Sequence, residues 1–196
     1  MREAWQTYEP VNLPRDSAPP PATPAAEALL DRFKDVQIKF LDREMAEELA
    51  KRSKLVADTK EDPKALNSLG VLYAQNGRYA EAKVYLAKAS AKAKTYLSPL
   101  LNLGMISLVE KDFAAASSYY EQARKAEPKN VQALLGFARA NHELENYGSV
   151  RLAFEELKRT DPGLAAQFAY LDLRGDEAAR AADISKAKEA MLWAEK

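Results

Sequence analysis

The chain repeats itself every 34 residues. Gly70 and Gly104 lie one period apart, and so do Leu69 and Leu103, Ala82 and Ala116, Ala89 and Ala123, and Pro128 and Pro162. That period is too short for a domain and right for one supersecondary unit, so it points to a stack of similar units. The units must be helical. Alternating β-branched runs are missing, and Ala, Leu, Glu and Lys, all good helix formers, dominate. Beyond the helix start expected at Thr23-Pro24, proline is confined to Pro63, Pro99, Pro128 and Pro162. Gly70, Gly104, Ala82 and Ala116 have almost no side chain, so two helices can approach closely there. A larger side chain at Ala116 is expected to overpack, at a cost of about 1–3 kcal/mol. Asn76-Gly77, Lys111-Asp112 and Glu145-Asn146 are placed at turns inside the units. The prolines are expected to end the second helix of a unit, since proline cannot continue one.

Composition narrows the function classes. Lys plus Arg number 29 and Asp plus Glu number 29, so no net charge draws the chain toward nucleic acid or acidic membrane. With no cysteine there is no disulfide, thiolate metal site or cysteine nucleophile. No apolar run approaches the roughly 20 residues of a membrane helix, and the first 25 residues carry no apolar signal core. His142 is the only histidine, a poor basis for metal or acid–base chemistry. No phosphate loop, serine elbow or paired carboxylates can be found. The expectation is a non-enzyme with no metal and no cofactor.

The period and its residues resemble the tetratricopeptide repeat. That family places large apolar residues at positions 4, 7 and 24, a small residue at 8, Tyr at 11, Ala at 20 and 27, and Pro at 32. A unit over 63–96 supplies Leu66, Leu69, Gly70, Tyr73, Ala82, Leu86 and Ala89. The next, 97–130, supplies Leu100, Leu103, Gly104, Ala116, Tyr120, Ala123 and Pro128, with Ser107 in place of Tyr. The third, 131–164, supplies Leu134, Phe137, Ala138, Phe154 and Pro162, while Asn141, Val150 and Leu157 depart from the pattern. Residues 24–62 read as a degenerate helical pair, with Phe33, Val36, Phe40, Leu49 and Val56 near the expected places, and 165–196 as degenerate capping helices. The resemblance implies an all-α right-handed superhelix of antiparallel helix pairs.

It also implies a protein–protein interaction scaffold whose first helices line a concave groove. Family positions there fall on Asn67, Val71 and Ala74 in the first unit, Leu101, Asn102, Met105 and Leu108 in the second, and Leu135, Gly136, Arg139 and His142 in the third. Asn67, Leu101, Asn102, Met105, Leu108, Leu135, Arg139 and His142 are the candidate partner-binding residues. An apolar middle with polar edges suits an amphipathic helix or apolar peptide of a protein partner. Arg139 and His142 could together meet an acidic group. A charge at Met105 is expected to abolish binding without unfolding the array. Two other readings stand beside this one: neighbouring helices cover Leu101, Met105 and Leu108 in a tightly wound array, or the N-terminal arm fills the groove. The Lys and Asn clamp that some members use on chaperone tails is mostly absent, only Asn102 matching.

Residues 1–23 carry Pro10, Pro14, Pro19, Pro20 and Pro21 and read as an extended or disordered arm, with Trp5 and Tyr8 as docking candidates. Such a start looks like a linker from a longer chain. The compartment stays open, cytoplasmic as the chain stands and periplasmic if it was cut from an envelope protein. Lys83, Lys88, Lys92 and Lys94 read as a solvated face. Arg174-Gly175-Asp176 reads as a chance tripeptide at a turn. Ile184, Ala187, Met191 and Leu192 recur at helical spacing beside Trp193. The alternative function is a self-associating module that uses the groove, the arm or the Trp193 helix.

Overall fold

The computed structural model describes residues 23–172. The arm with Trp5 and Tyr8, the Arg174-Gly175-Asp176 tripeptide and the Trp193 stretch lie outside the described residues. The chain divides into two compact units, residues 1–45 and 46–196. Among the described residues every element is helical: α1 (Pro24–Asp58), α2 (Pro63–Gln75), α3 (Tyr79–Lys92), α4 (Ser98–Val109), α5 (Phe113–Ala126), α6 (Val131–Glu143), α7 (Tyr147–Thr160), α8 (Pro162–Gln167) and a 3-10 turn over Ala169–Asp172.

The first unit is represented by the leading part of α1. Residues 24–58 form one unbroken helix where the sequence suggested a helical pair. The reason is local: no Gly, Pro or Asn interrupts residues 25–58, so nothing there forms a turn. Leu29, Phe33, Val36 and Phe40 are exposed rather than packed as repeat residues. The last turns of α1 belong to the second unit. There Val56 is buried with Leu66 and Leu69, Leu49 packs against them, and the Arg52 guanidinium donates to the Ser68 carbonyl at 2.9 Å.

In the second unit α2/α3, α4/α5 and α6/α7 are packed helix pairs joined by short turns, hence antiparallel. The three internal turns have the same geometry. Gly77, Lys111 and Glu145 stand 34 residues apart and all have positive φ, at 71°, 63° and 58°. Each donates to the carbonyl three residues back (Ala74, Leu108, His142), and each following N–H reaches five residues back to Tyr73, Ser107 or Asn141. This paired closure satisfies carbonyls that a helix end otherwise leaves unmade.

The prolines act differently from the sequence expectation. Pro63 and Pro162 open α2 and α8, and Pro99 sits in the first turn of α4. Asp62 and Asp161 are the caps: their carboxylates accept from Lys64 N at 2.9 Å and from Leu164 N at 2.8 Å. A proline in the first turn costs no hydrogen bond, so acid-proline pairs start helices here. Among the described prolines only Pro128, between α5 and α6, lies outside a helix.

The second helix of each pair buries one narrow stripe: Ala82, Leu86 and Ala89 in α3; Ala116, Tyr120 and Ala123 in α5; Val150, Ala153, Phe154 and Leu157 in α7. Departures in the third unit are absorbed locally. Val150 and Leu157 fill two alanine places and are fully buried. Asn141 replaces the tyrosine and donates to Ser117 Oγ and the Phe137 carbonyl, both at 2.9 Å. Tyr120 joins neighbouring pairs, its ring resting on Gly104 of α4 and Gly136 of α6. Its phenol is pushed up by burial. Gly136 therefore serves helix packing rather than the groove.

Candidate protein-binding groove

The first helices α2, α4 and α6 differ from the second helices in being buried nearly all round. In α4 every residue from Ser98 to Ser107 except Leu100 is buried. In α2 the buried set includes Asn67, Val71 and Ala74 as well as Leu66, Leu69 and Gly70, which lie on other sides of the same helix. Helical spacing stacks Asn67, Leu101 and Leu135 in one row across the array, with Val71, Met105 and Arg139 in a second and Ala74, Leu108 and His142 in a third.

Each candidate residue has a definite place. Asn67 and Asn102 are wholly buried, and the Asn102 side-chain amide donates to the Asn67 carbonyl oxygen at 3.0 Å. Tyr96 and Ser98 lie beside this pair; burial pushes the Tyr96 phenol up while Ser98 and Asn67 pull it part of the way back. Leu101 and Met105 are each 6% exposed and Leu135 3%. Leu101 and Leu135 belong to the apolar cluster that runs through α4 to α7, and Leu108 packs against it half-buried. A charge at Met105 would therefore be buried, so it would stress folding as well as binding.

Arg139 and His142 sit at the α6 end, where the chain after α8 returns. The Arg139 guanidinium lies over the Phe168 ring at 5.9 Å. His142 is packed edge-on to Tyr170 at 5.5 Å and to Tyr147 at 5.9 Å, with Glu143 3.9 Å from its Nδ1. Phe168 and Tyr170 are absent from the sequence candidates. Their approach depends on a 3-10 turn that periodicity does not signal.

Away from this face the lysine cluster is partly paired. Lys83 meets Glu110 at 2.8 Å, and Lys88 and Lys92 flank Glu61 at 3.5 and 3.0 Å. Among the described residues no group of three or more His, Cys, Asp or Glu could hold a metal. Nor is any described helix long and apolar enough to cross a membrane.

The family model for the tetratricopeptide repeat matches residues 63–91, the α2/α3 pair. The chain carries at least this one tetratricopeptide repeat. Its fold is similar to that of MamA, known from a crystal structure, with a TM-score of 0.59 and 18% identity over 76% of this chain and 91% of that one. No curated protein sequence matches. The tetratricopeptide family and fold are typically those of non-enzymatic scaffolds for protein partners.

Proposed function

We propose that this protein holds an apolar helix or peptide of a protein partner against α2, α4 and α6. The observation that carries this reading is the apolar strip on α4 and α6, the largely buried Leu101, Met105 and Leu135 beside the half-buried Leu108, edged by the half-buried Arg139 and by His142. An apolar strip anchors a partner helix through area, and polar neighbours fix its register. Arg139 and His142 would favour an acidic end on that partner.

Leu108 and Arg139 are only half-buried, so they can be changed with less risk to the fold than Met105. A partner segment isolated with the wild-type chain should be titrated against Leu108→Glu and Arg139→Glu. A loss of about tenfold or more in both, with unchanged melting, supports the groove. Equal affinity for all three proteins sinks it.

One observation favours the second reading, self-association. Leu29, Phe33, Val36 and Phe40 are 60–69% exposed and spaced 4-3-4, the seam spacing of a coiled coil. Lys39 and Glu44 flank that seam at positions that pair between parallel copies. The occupant on this reading is α1 of a second copy. Light scattering over a concentration series tests it, and a monomer at every concentration removes it.

A further inference from the structure

The leading turns of α1 leave a run of large apolar side chains open to solvent. Leu29, Phe33, Val36 and Phe40 are 60–69% exposed, whereas other exposed apolar residues, such as Val84 and Leu152, stand singly on their helices. Single exposed side chains are ordinary, but a contiguous apolar face in water marks a contact surface. The run also has a definite end. Continuing the same 4-3-4 spacing, the next two places hold Arg43 and Glu47. Beyond them the helix packs into its own array through Leu49 and Val56. One helix is thus divided along its length, the trailing turns for its own array and the leading turns for something else.

Charges beside this seam select how a second copy lies on it. One flank carries Arg32 and Lys39, just before Phe33 and Phe40; the other carries Leu30, Gln37 and Glu44. Flanking residues five apart meet across a parallel, in-register seam, so Lys39 of each copy comes beside Glu44 of the other. An antiparallel pair centred on the same seam joins like flanks instead. It sets Arg32 of each copy against Lys39 of the other, cation on cation, and like charges at such places disfavour the pair. Lys39 and Glu44 are both exposed, and among the described residues neither has an ion-pair partner in its own chain. The parallel register also stacks Phe33 on Phe33 and Phe40 on Phe40, large side chains on large.

We propose that residues 29–40 of α1 form a parallel, in-register seam with α1 of a second copy, with Lys39 of each copy paired to Glu44 of the other. This rests on the self-association reading of the same face and adds orientation and register to it. The seam is short, under two heptads, so the pair forms and parts with concentration. In a parallel pair both chains leave the seam at the same end. Two arrays are then within reach of one partner, and a partner that carries its segment twice is held more tightly than by either array alone.

The chain has no cysteine, so single cysteines in the full-length protein report the geometry. Leu29→Cys and Asp31→Cys are compared under mild oxidation, with light scattering on the unmodified chain. Leu29, Asp31, Lys39 and Glu44 are all exposed, so these changes leave the array's core untouched. In the parallel seam Leu29→Cys faces its own equivalent; in the antiparallel one it faces Phe40, and the two cysteines lie about 16 Å of helix apart. Asp31 stands on the outer side of α1. Leu29→Cys should therefore link two chains about tenfold or more faster than Asp31→Cys, since a disulfide needs closely apposed Cβ atoms. Adding Lys39→Glu should slow the linking about tenfold, because the changed contact occurs twice in the pair, and Lys39→Glu with Glu44→Lys should restore it. Three results would each overturn the proposal. Equal linking at the two positions in a chain that light scattering finds dimeric would remove the parallel seam and leave self-association standing. Linking that ignores the charge changes would remove the Lys39–Glu44 pairing. A monomer at every concentration would remove self-association and the seam together.

Discussion

Tyr120 in α5 lies directly on the bare backbone of Gly136 in α6: a methyl group at residue 136 would fall inside the space of the Tyr120 ring. The same ring meets Gly104 in its own unit, where an added Cβ would come within 2.8 Å of two ring carbons. One aromatic side chain thus sets the approach of α4, α5 and α6.

Gly136→Ala should destabilise the array by about 1–3 kcal/mol, because a buried ring has nowhere to move in a close-packed core. Urea unfolding measures this. The cost should shrink when Tyr120 is Leu, and an unchanged cost in that background would show that the ring is not the obstacle.

Lys111 and Glu145 occupy the left-handed position that Gly77 occupies in the first pair. A side chain there costs about 1–2 kcal/mol, offset in part by the greater unfolded-state freedom of glycine. Lys111→Gly and Glu145→Gly should each raise stability by about 0.5–1 kcal/mol, read as a higher melting temperature. Gly77→Ala should lower it. Changes of opposite sign would refute the shared turn geometry as their cause.

The Asn67–Asn102 hydrogen bond crosses between α2 and α4 with both residues wholly buried. Asn67→Leu alone strands an amide and should cost about 1–3 kcal/mol, whereas Asn67→Leu with Asn102→Leu should cost less than the sum of the two single changes. A double-mutant cycle with no coupling would remove the bond as a contributor.

Glu61 is held below the usual carboxylate range, first by its hydrogen bond with Lys92, then by the charges of Lys92 and Lys88. A folded-state value below the unfolded one stabilises above the ordinary carboxylate pKa and is lost as pH falls through the lowered value. The groups are exposed, so the effect is small and screened by salt. The melting-temperature gap between wild type and Glu61→Gln should therefore be present at neutral pH, close in acid below the carboxylate range, and close in high salt. A gap that persists in acid would exclude the ion pairs as its source.

Local chemistry makes the helix pairs legible in the chain itself. Gly70 and Gly104, the alanines at 82, 89, 116 and 123, and the turns at 77, 111 and 145 are set by spacing within one unit. The prolines are legible only together with the residue before them. Spacing alone suggests that they end helices, but the acid before Pro63 and Pro162 caps the helix that each proline opens. α1 shows the opposite case. Phe33, Val36 and Phe40 have repeat-like spacing, but without a turn former the helix runs on and leaves them exposed.

The sequence by itself determined the period, the helical class and the rows of residues that face one way, because these depend on contacts a few residues apart. The tertiary structure alone decided which of those rows is covered. Asn67 and Asn102 pair across 35 residues, Tyr120 lands on Gly136 of the next unit, and the turn after α8 brings Phe168 and Tyr170 back onto Arg139 and His142. Burial at such places is a property of what neighbouring units and returning segments put there, and no spacing within one unit encodes it.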